Sequence, residues 1–128
     1  MRILTRLMAP LTLCIVAGAA HGAGASLCNL PGSPKTVVRL AQLPAEIQSW
    51  LEENGPVSDP GGPFNATDLF DAEHPVPGQR LVAGQAGPDT VCLQLEKGGR
   101  GYHHVILQFQ LAGGHWTLTS TERRMAPG

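Results

Sequence analysis

One stretch of the chain, residues 42–55 (QLPAEIQSWLEENG), repeats apolar residues with helical spacing. Four apolar residues lie at positions i, i+4, i+7 and i+8 and therefore share one stripe: Leu43, Ile47, Trp50 and Leu51. Pro44 suits the first position of a helix, and Gly55 suits a position just after its end. The pattern predicts one amphipathic helix whose apolar stripe, with Trp50 in it, faces a core.

The second half of the chain alternates between apolar and polar residues with a period of two, which is typical of half-buried strands. The alternation predicts strands at residues 80–83, 90–96, 102–111 and 116–121. Gly113-Gly114 is a two-residue hairpin turn, because glycine takes φ > 0 at both positions. The resulting register sets apolar against apolar and polar against polar: Leu111 with Trp116, Gln110 with Thr117, Phe109 with Leu118, and Gln108 with Thr119.

The preceding hairpin is compatible with two registers. One sets Leu95 opposite His103 with a tight loop, and the other sets Leu95 opposite Val105 with a longer loop through Arg100. Both keep the apolar residues on one face, so the sequence leaves the choice open.

These elements predict an α+β fold, an antiparallel meander of three to four strands with one helix packed on its apolar face. Residues 54–64 are rich in Gly and Pro and predict a loop, and residues 125–128 predict a frayed tail. The stretch that follows the loop is expected to be irregular or a single helical turn, held by Leu69 and Phe70. Asn65-Ala66-Thr67 is either a glycosylation acceptor or, as we favour, a set of side chains that cap a turn.

The N-terminus has the features of a cleaved signal peptide at residues 1–25. Arg2 and Arg6 precede an almost wholly apolar run, and Ala23-Gly24-Ala25 forms an A-x-A cleavage site. No later stretch is long and apolar enough to cross a bilayer. We therefore expect one small exported domain, residues 26–128, that is periplasmic in a bacterium or secreted, with no membrane attachment after cleavage.

The cysteines agree with export. Cys14 leaves with the signal peptide, and the remaining pair, Cys28 and Cys92, predicts a disulfide. Such a bridge closes a loop of roughly 65 residues and is worth about 4 kcal/mol in the chain-entropy model. Cys92 has the opposite parity from Leu93, so the bridge should lie on the sheet face away from the helix or at the sheet edge.

The charge balance argues against nucleic acid as a partner. Of nine Lys and Arg residues, two leave with the signal peptide, and seven then face ten Asp and Glu, a net charge of −3. No basic run could neutralise several phosphates.

Four histidines are candidates for metal binding: His74, His103, His104 and His115. Successive strand residues point to opposite faces, so His103 and His104 cannot share a site. A zinc site needs three or four converging ligands. We therefore expect no metal and no other cofactor.

The loop of the first hairpin, residues 98–104, is the candidate functional segment. Its glycines free the backbone and display Arg100 and Tyr102, residue types that are common at interface hot spots. We expect a non-catalytic module that binds another protein, of inhibitor or immunity type, through four residues of this tip: Gly99, Arg100, Tyr102 and His104. A flexible turn that Arg100 merely keeps soluble is a simpler interpretation of the same residues.

The alternative is a small secreted hydrolase. His104 would act as general acid or base with Glu96 opposite it, while Arg100 steadies an anionic intermediate. The sequence contains no recognisable nucleophile motif to accompany them.

Overall fold

The computed structural model describes residues 27–67, 69, 71–99 and 101–125. The expected signal peptide, Phe70, Arg100 and residues 126–128 of the expected tail lie outside the described residues. The elements in chain order are β1 (Lys35–Val37), a short 3-10 helix (Leu40–Gln42), α1 (Ala45–Glu53), β2 (Val57–Ser58), β3 (Gln79–Ala86), β4 (Thr90–Lys97), β5 (His103–Ala112) and β6 (His115–Met125).

The fold is α+β, as predicted, with one sheet and one α-helix in the described part of the chain. The sheet has six strands rather than three or four, in the order β1-β3-β4-β5-β6 with β2 also on β3. Strands β3 to β6 are sequential antiparallel neighbours, whereas β1 pairs antiparallel and β2 parallel along the outer edge of β3. Strands as short as β1 and β2 leave no detectable period-two pattern, and β2 lies within the segment predicted as a loop.

The second hairpin turns through Gly113 and Gly114, with φ of 59° and 79°. Its register is confirmed from Leu111 opposite Trp116 to Phe109 opposite Leu118. The expected pairing of Gln108 with Thr119 is wrong, because a bulge in β6 sets Ser120 opposite Gln108. A bulge inserts one extra residue into one strand, so the pairing beyond it is shifted by one residue. The strand then runs on to Met125 opposite His103, so Met125 belongs to β6 and not to a frayed tail.

Helix α1 packs on one face of the sheet, which we call the helix face. The core contains Ile47 and Leu51 of α1 together with Leu107 and Phe109 of β5. Trp50, which the helical pattern places facing the core, and Leu118 are only half-buried at the rim of this core. The ring of Trp50 still meets Phe109 edge-on, with 5.4 Å between centroids.

The opposite face of the sheet, which we call the outer face, is covered at its centre by the N-terminal segment. The Cys28–Cys92 disulfide is present, with 5.7 Å between the Cα atoms. Because β4 lies between β3 and β5, the bridge sits on the outer face and not at an edge. The backbone N–H of Leu27 donates to Gln94 Oε1 at 2.9 Å, and that of Leu30 donates to Gln85 Oε1 at 2.7 Å.

A disulfide of this kind is typical of proteins in an oxidising compartment. No helix within the described residues has the length and apolar character needed to span a bilayer.

The stretch between β2 and β3 contains no helix where it is described. Asn65 Oδ1 accepts hydrogen bonds from the backbone N–H and the hydroxyl of Thr67, at 3.0 and 2.8 Å, so these side chains do cap a turn. Leu69 is 76% exposed, and the prediction that it holds this stretch to the core is wrong.

Candidate functional site

The β4–β5 register brings the candidate catalytic pair together. Leu95 lies opposite Val105 and Glu96 opposite His104, which is the register with the longer loop. The tip, residues 98–104, then consists of the loop between the two strands and the first two residues of β5. Glu96 and His104 both point to the outer face.

Glu96 is the centre of a polar cluster on that face. It is only 8% exposed, and Arg80, opposite it on β3, forms an ion pair with Oε1 and donates to this oxygen from Nε at 2.6 Å. Arg80 also donates from Nη1 to the carbonyl of Gly62 at 3.0 Å and lies over the Phe64 ring, 4.9 Å from its centroid. A buried carboxylate needs such a partner, because desolvation penalises an unpaired charge.

Tyr102 folds back from the loop onto this cluster. Its hydroxyl donates to Glu96 Oε2 at 2.9 Å and lies 3.1 Å from His104 Nε2. Burial raises the pKa of the Tyr102 phenol, the hydrogen bond to Glu96 and its negative charge raise the pKa further, and the charge of Arg80 opposes them. The phenol is therefore a neutral donor at physiological pH.

The tautomer of His104 follows from its neighbours. Gln94 Oε1 already accepts from Leu27, so the Gln94 amide turns its NH2 group toward His104 Nδ1, at 2.7 Å. This pattern assigns Nδ1 as an acceptor and leaves the proton on Nε2. The Nε2 proton then points at the Tyr102 oxygen, which gives a directional chain from His104 through Tyr102 to Glu96.

These five side chains form what we call the outer-face network: Arg80, Gln94, Glu96, Tyr102 and His104. Both carboxylate oxygens of Glu96 and both ring nitrogens of His104 have partners within the protein. A general acid or base must instead reach a substrate proton within hydrogen-bonding distance. The arrangement is suited to holding a surface rigid, and Tyr102 stands between the two groups that the hydrolase hypothesis needs side by side.

The base of the tip is packed against a second loop. A Cβ on Gly98 would overlap the carbonyl oxygen of Asn65 and lie 2.8 Å from the Cα of Ala66. The Gly98 N–H donates to the carbonyl of Gly78 at 3.0 Å. Gly98 is therefore required for close approach of the two loops, whereas Gly99 and Gly101 have positive φ values of 103° and 87° and form the turn.

We expect Gly98→Ala to lower the free energy of unfolding by about 1–3 kcal/mol, because the new methyl group must displace backbone atoms. Chemical denaturation would measure the loss. Gly78→Ala is the matched control, since nothing lies within 4 Å of its Cβ position and its φ is not positive. Equal stabilities of the two variants would contradict the close packing of the loops.

The sequence named only part of the outer-face network. The structure brings Tyr102, His104 and Glu96 together and leaves Gly99 at the turn, while Arg100 lies outside the described residues. No motif in the sequence singled out the other two members, Arg80 and Gln94. Arg80 and Glu96 carry opposite charges and lie on neighbouring predicted strands, and this is the one sequence feature that could have indicated their pairing.

Among the described residues, one group of side chains could hold a metal ion: Asp71, Glu73 and His74, whose ligand atoms lie within 4.8 Å of one another. All three side chains are exposed, and Asp71 already contacts His74 Nδ1 at 3.2 Å. The remaining described histidines lie elsewhere, with His103 on the helix face and His115 at the far end of the second hairpin.

Comparisons of the chain with protein-family models, with curated proteins and with solved structures found no match.

Proposed function

We propose that this chain is an exported, non-catalytic module that binds another protein, in the manner of an inhibitor or an immunity protein. The binding surface is the tip, residues 98–104, together with the exposed side of the outer-face network. The observation that carries the proposal is the way Tyr102 is held. Tyr102 is 37% exposed, while its hydroxyl is fixed by Glu96 and His104.

A tyrosine in this state suits protein recognition. Tyrosine and arginine are over-represented at interface hot spots, and a side chain that is already ordered loses little entropy on binding. The four contact residues of the proposal are Gly99, Arg100, Tyr102 and His104.

The disulfide and the features of a signal peptide at residues 1–25 support export to the periplasm or the extracellular space. The net charge of −3 that remains after cleavage supports a protein partner over nucleic acid.

The experiment is capture of partners from the exported fraction of the source organism on immobilised protein. Arg100→Ala and Tyr102→Ala should each weaken capture by about 2 kcal/mol, which is roughly thirtyfold in affinity. Val38→Ala is the control, because Val38 is 54% exposed beside β1, far from the tip in the sheet order. Equal recovery by wild type, Arg100→Ala and Tyr102→Ala would reject the tip as the binding surface.

Stability must be measured alongside, because the Tyr102 hydroxyl bonds a buried carboxylate. Tyr102→Phe keeps the ring but removes the hydroxyl contacts that fix it, so its capture should fall by less than that of Tyr102→Ala, while its unfolding free energy falls by about 1–2 kcal/mol. Loss of capture in Tyr102→Phe that matched the loss in Tyr102→Ala would assign the effect to the network and not to the exposed ring.

The second candidate is a small hydrolase, for which the register sets Glu96 opposite His104, although the Tyr102 hydroxyl lies between the two side chains. Turnover of a peptide, peptidoglycan or RNA substrate that disappears in His104→Ala would support this function over protein binding.

A further inference from the structure

The helix face is longer than the helix that covers it. Helix α1 has 9 residues and is about 14 Å long. Strand β5 has 10 residues, or about 33 Å. Glu46 in the first turn of α1 contacts His115 beside the second hairpin turn, and the sheet extends past the C-terminal end of α1 toward Lys97.

A cavity of about 230 Å³ opens where α1 ends. Its lining is part apolar and part polar. The polar side chains are Asn54, Gln79, Lys97 and Thr121, and the apolar ones, from the helix and three strands, are Trp50, Leu51, Leu95, Val105, Leu107 and Leu118. A concave apolar site with a few polar groups at its mouth is the usual form of a small-molecule site.

The charge at the mouth is of one sign. Lys97 is the sole charged side chain among the described residues that line the cavity. The register adds one further basic residue on the same face, Arg123 opposite Val105. Neither Lys97 nor Arg123 forms an ion pair with any described residue.

The neighbouring acidic groups point elsewhere. Glu52 and Glu53, at the end of α1, line other grooves, and Glu96 is on the outer face with Arg80. The cavity therefore combines apolar side chains with polar groups and with positive charge that no described carboxylate pairs, which is the complement of an anionic amphiphile.

We propose that this cavity binds a small anionic amphiphile, a medium-chain carboxylate whose acyl chain lies among the apolar residues and whose carboxylate faces Lys97. A water molecule occupies about 30 Å³, so the cavity has room for roughly seven or eight groups of that size. An acyl chain of six to eight carbons is the matching ligand. The site lies on the opposite face from the outer-face network and does not depend on the proposed protein-binding function.

The two tryptophans of the chain make the site directly testable. Trp50 lines the cavity and Trp116 does not, so their indole N–H signals in a nitrogen-15 NMR spectrum are an internal probe and its control. The signals are assigned with a Trp116→Phe variant. Titration of the disulfide-bonded protein with octanoate should move the Trp50 signal and leave that of Trp116 in place.

Two further ligands with the same tail test the charge. Binding should weaken from octanoate to 1-octanol to octyltrimethylammonium, with octanoate about three- to tenfold tighter than the alcohol. Lys97→Gln should reduce this difference and leave octanol binding unchanged. Lys35→Gln, on β1 at the other side of the sheet, is the matched control and should behave as wild type.

Three results would overturn the proposal. In the titration, the Trp50 signal does not move at millimolar octanoate, or the two indole signals shift equally. In the ligand comparison, the protein binds the three ligands with equal affinity. The first two would remove the site, and the third would leave an apolar crevice without the proposed preference for anions.

Discussion

Phe109→Ala is expected to lower the free energy of unfolding by about 3–5 kcal/mol, the largest effect of any single substitution considered for this chain. Phe109 is 1% exposed at the centre of the helix face, and its ring meets Trp50 of α1 edge-on. Removing the ring leaves a cavity between helix and sheet that rigid neighbours fill only in part. Urea denaturation monitored by circular dichroism would measure the change.

Phe109→Leu is the matched control, because it keeps most of the buried volume and should cost less than about 1.5 kcal/mol. Phe64→Ala tests whether the loss of stability depends on burial. Phe64 is half-buried in a loop, where its ring contacts Arg80, so Phe64→Ala should lower the free energy of unfolding much less than Phe109→Ala. A Phe109→Ala midpoint shift worth less than about 1 kcal/mol would contradict the packing of α1 on the sheet.

Loss of the disulfide is expected to have the second large effect. In the chain-entropy model, a bridge across a sequence separation of 64 residues is worth about 4 kcal/mol. The double variant Cys28→Ala/Cys92→Ala should unfold at much lower denaturant concentration than the oxidised protein. It also loses packing, because Cys28 and Cys92 are buried with Leu30 and Ile106 in a second apolar cluster.

The control is the wild-type protein under reducing conditions, which should approach the stability of the double variant. The reductant should have no effect on the variant itself. Unchanged stability of the wild type on reduction would show that the bridge contributes little, and that the N-terminal segment is held by Leu30 and its hydrogen bond instead.

The second hairpin and the helix were predictable because their residues obey one strong periodic rule each. Gly113-Gly114 specifies a turn, and the alternation on either side of it admits one register as far as Phe109 and Leu118. The bulge beyond them was not predictable, since Thr119 and Ser120 are both small and polar and neither opposes a slip.

The outer face was predicted less well, for a different physical reason. Polar residues that alternate with apolar ones indicate a wet face only when no other segment covers it. Here Gln94 and Glu96 are 3% and 8% exposed, because the chain near Cys28 is bridged to β4 and because Arg80 and Tyr102 lie over Glu96. These are tertiary contacts between distant segments, and local periodicity carries no information on them.

Strand β6 has a consequence for the behaviour of the protein at high concentration. It forms one edge of the sheet, and the backbone groups along its outer side have no neighbouring strand among the described residues. An edge of 11 residues is a template on which another chain could add a strand and start aggregation. Glu122, Arg123 and Arg124 stand in succession near its end, and an incoming strand would have to match all three charges. Arg123, which also contributes positive charge at the mouth of the cavity, thus helps to keep the sheet from growing.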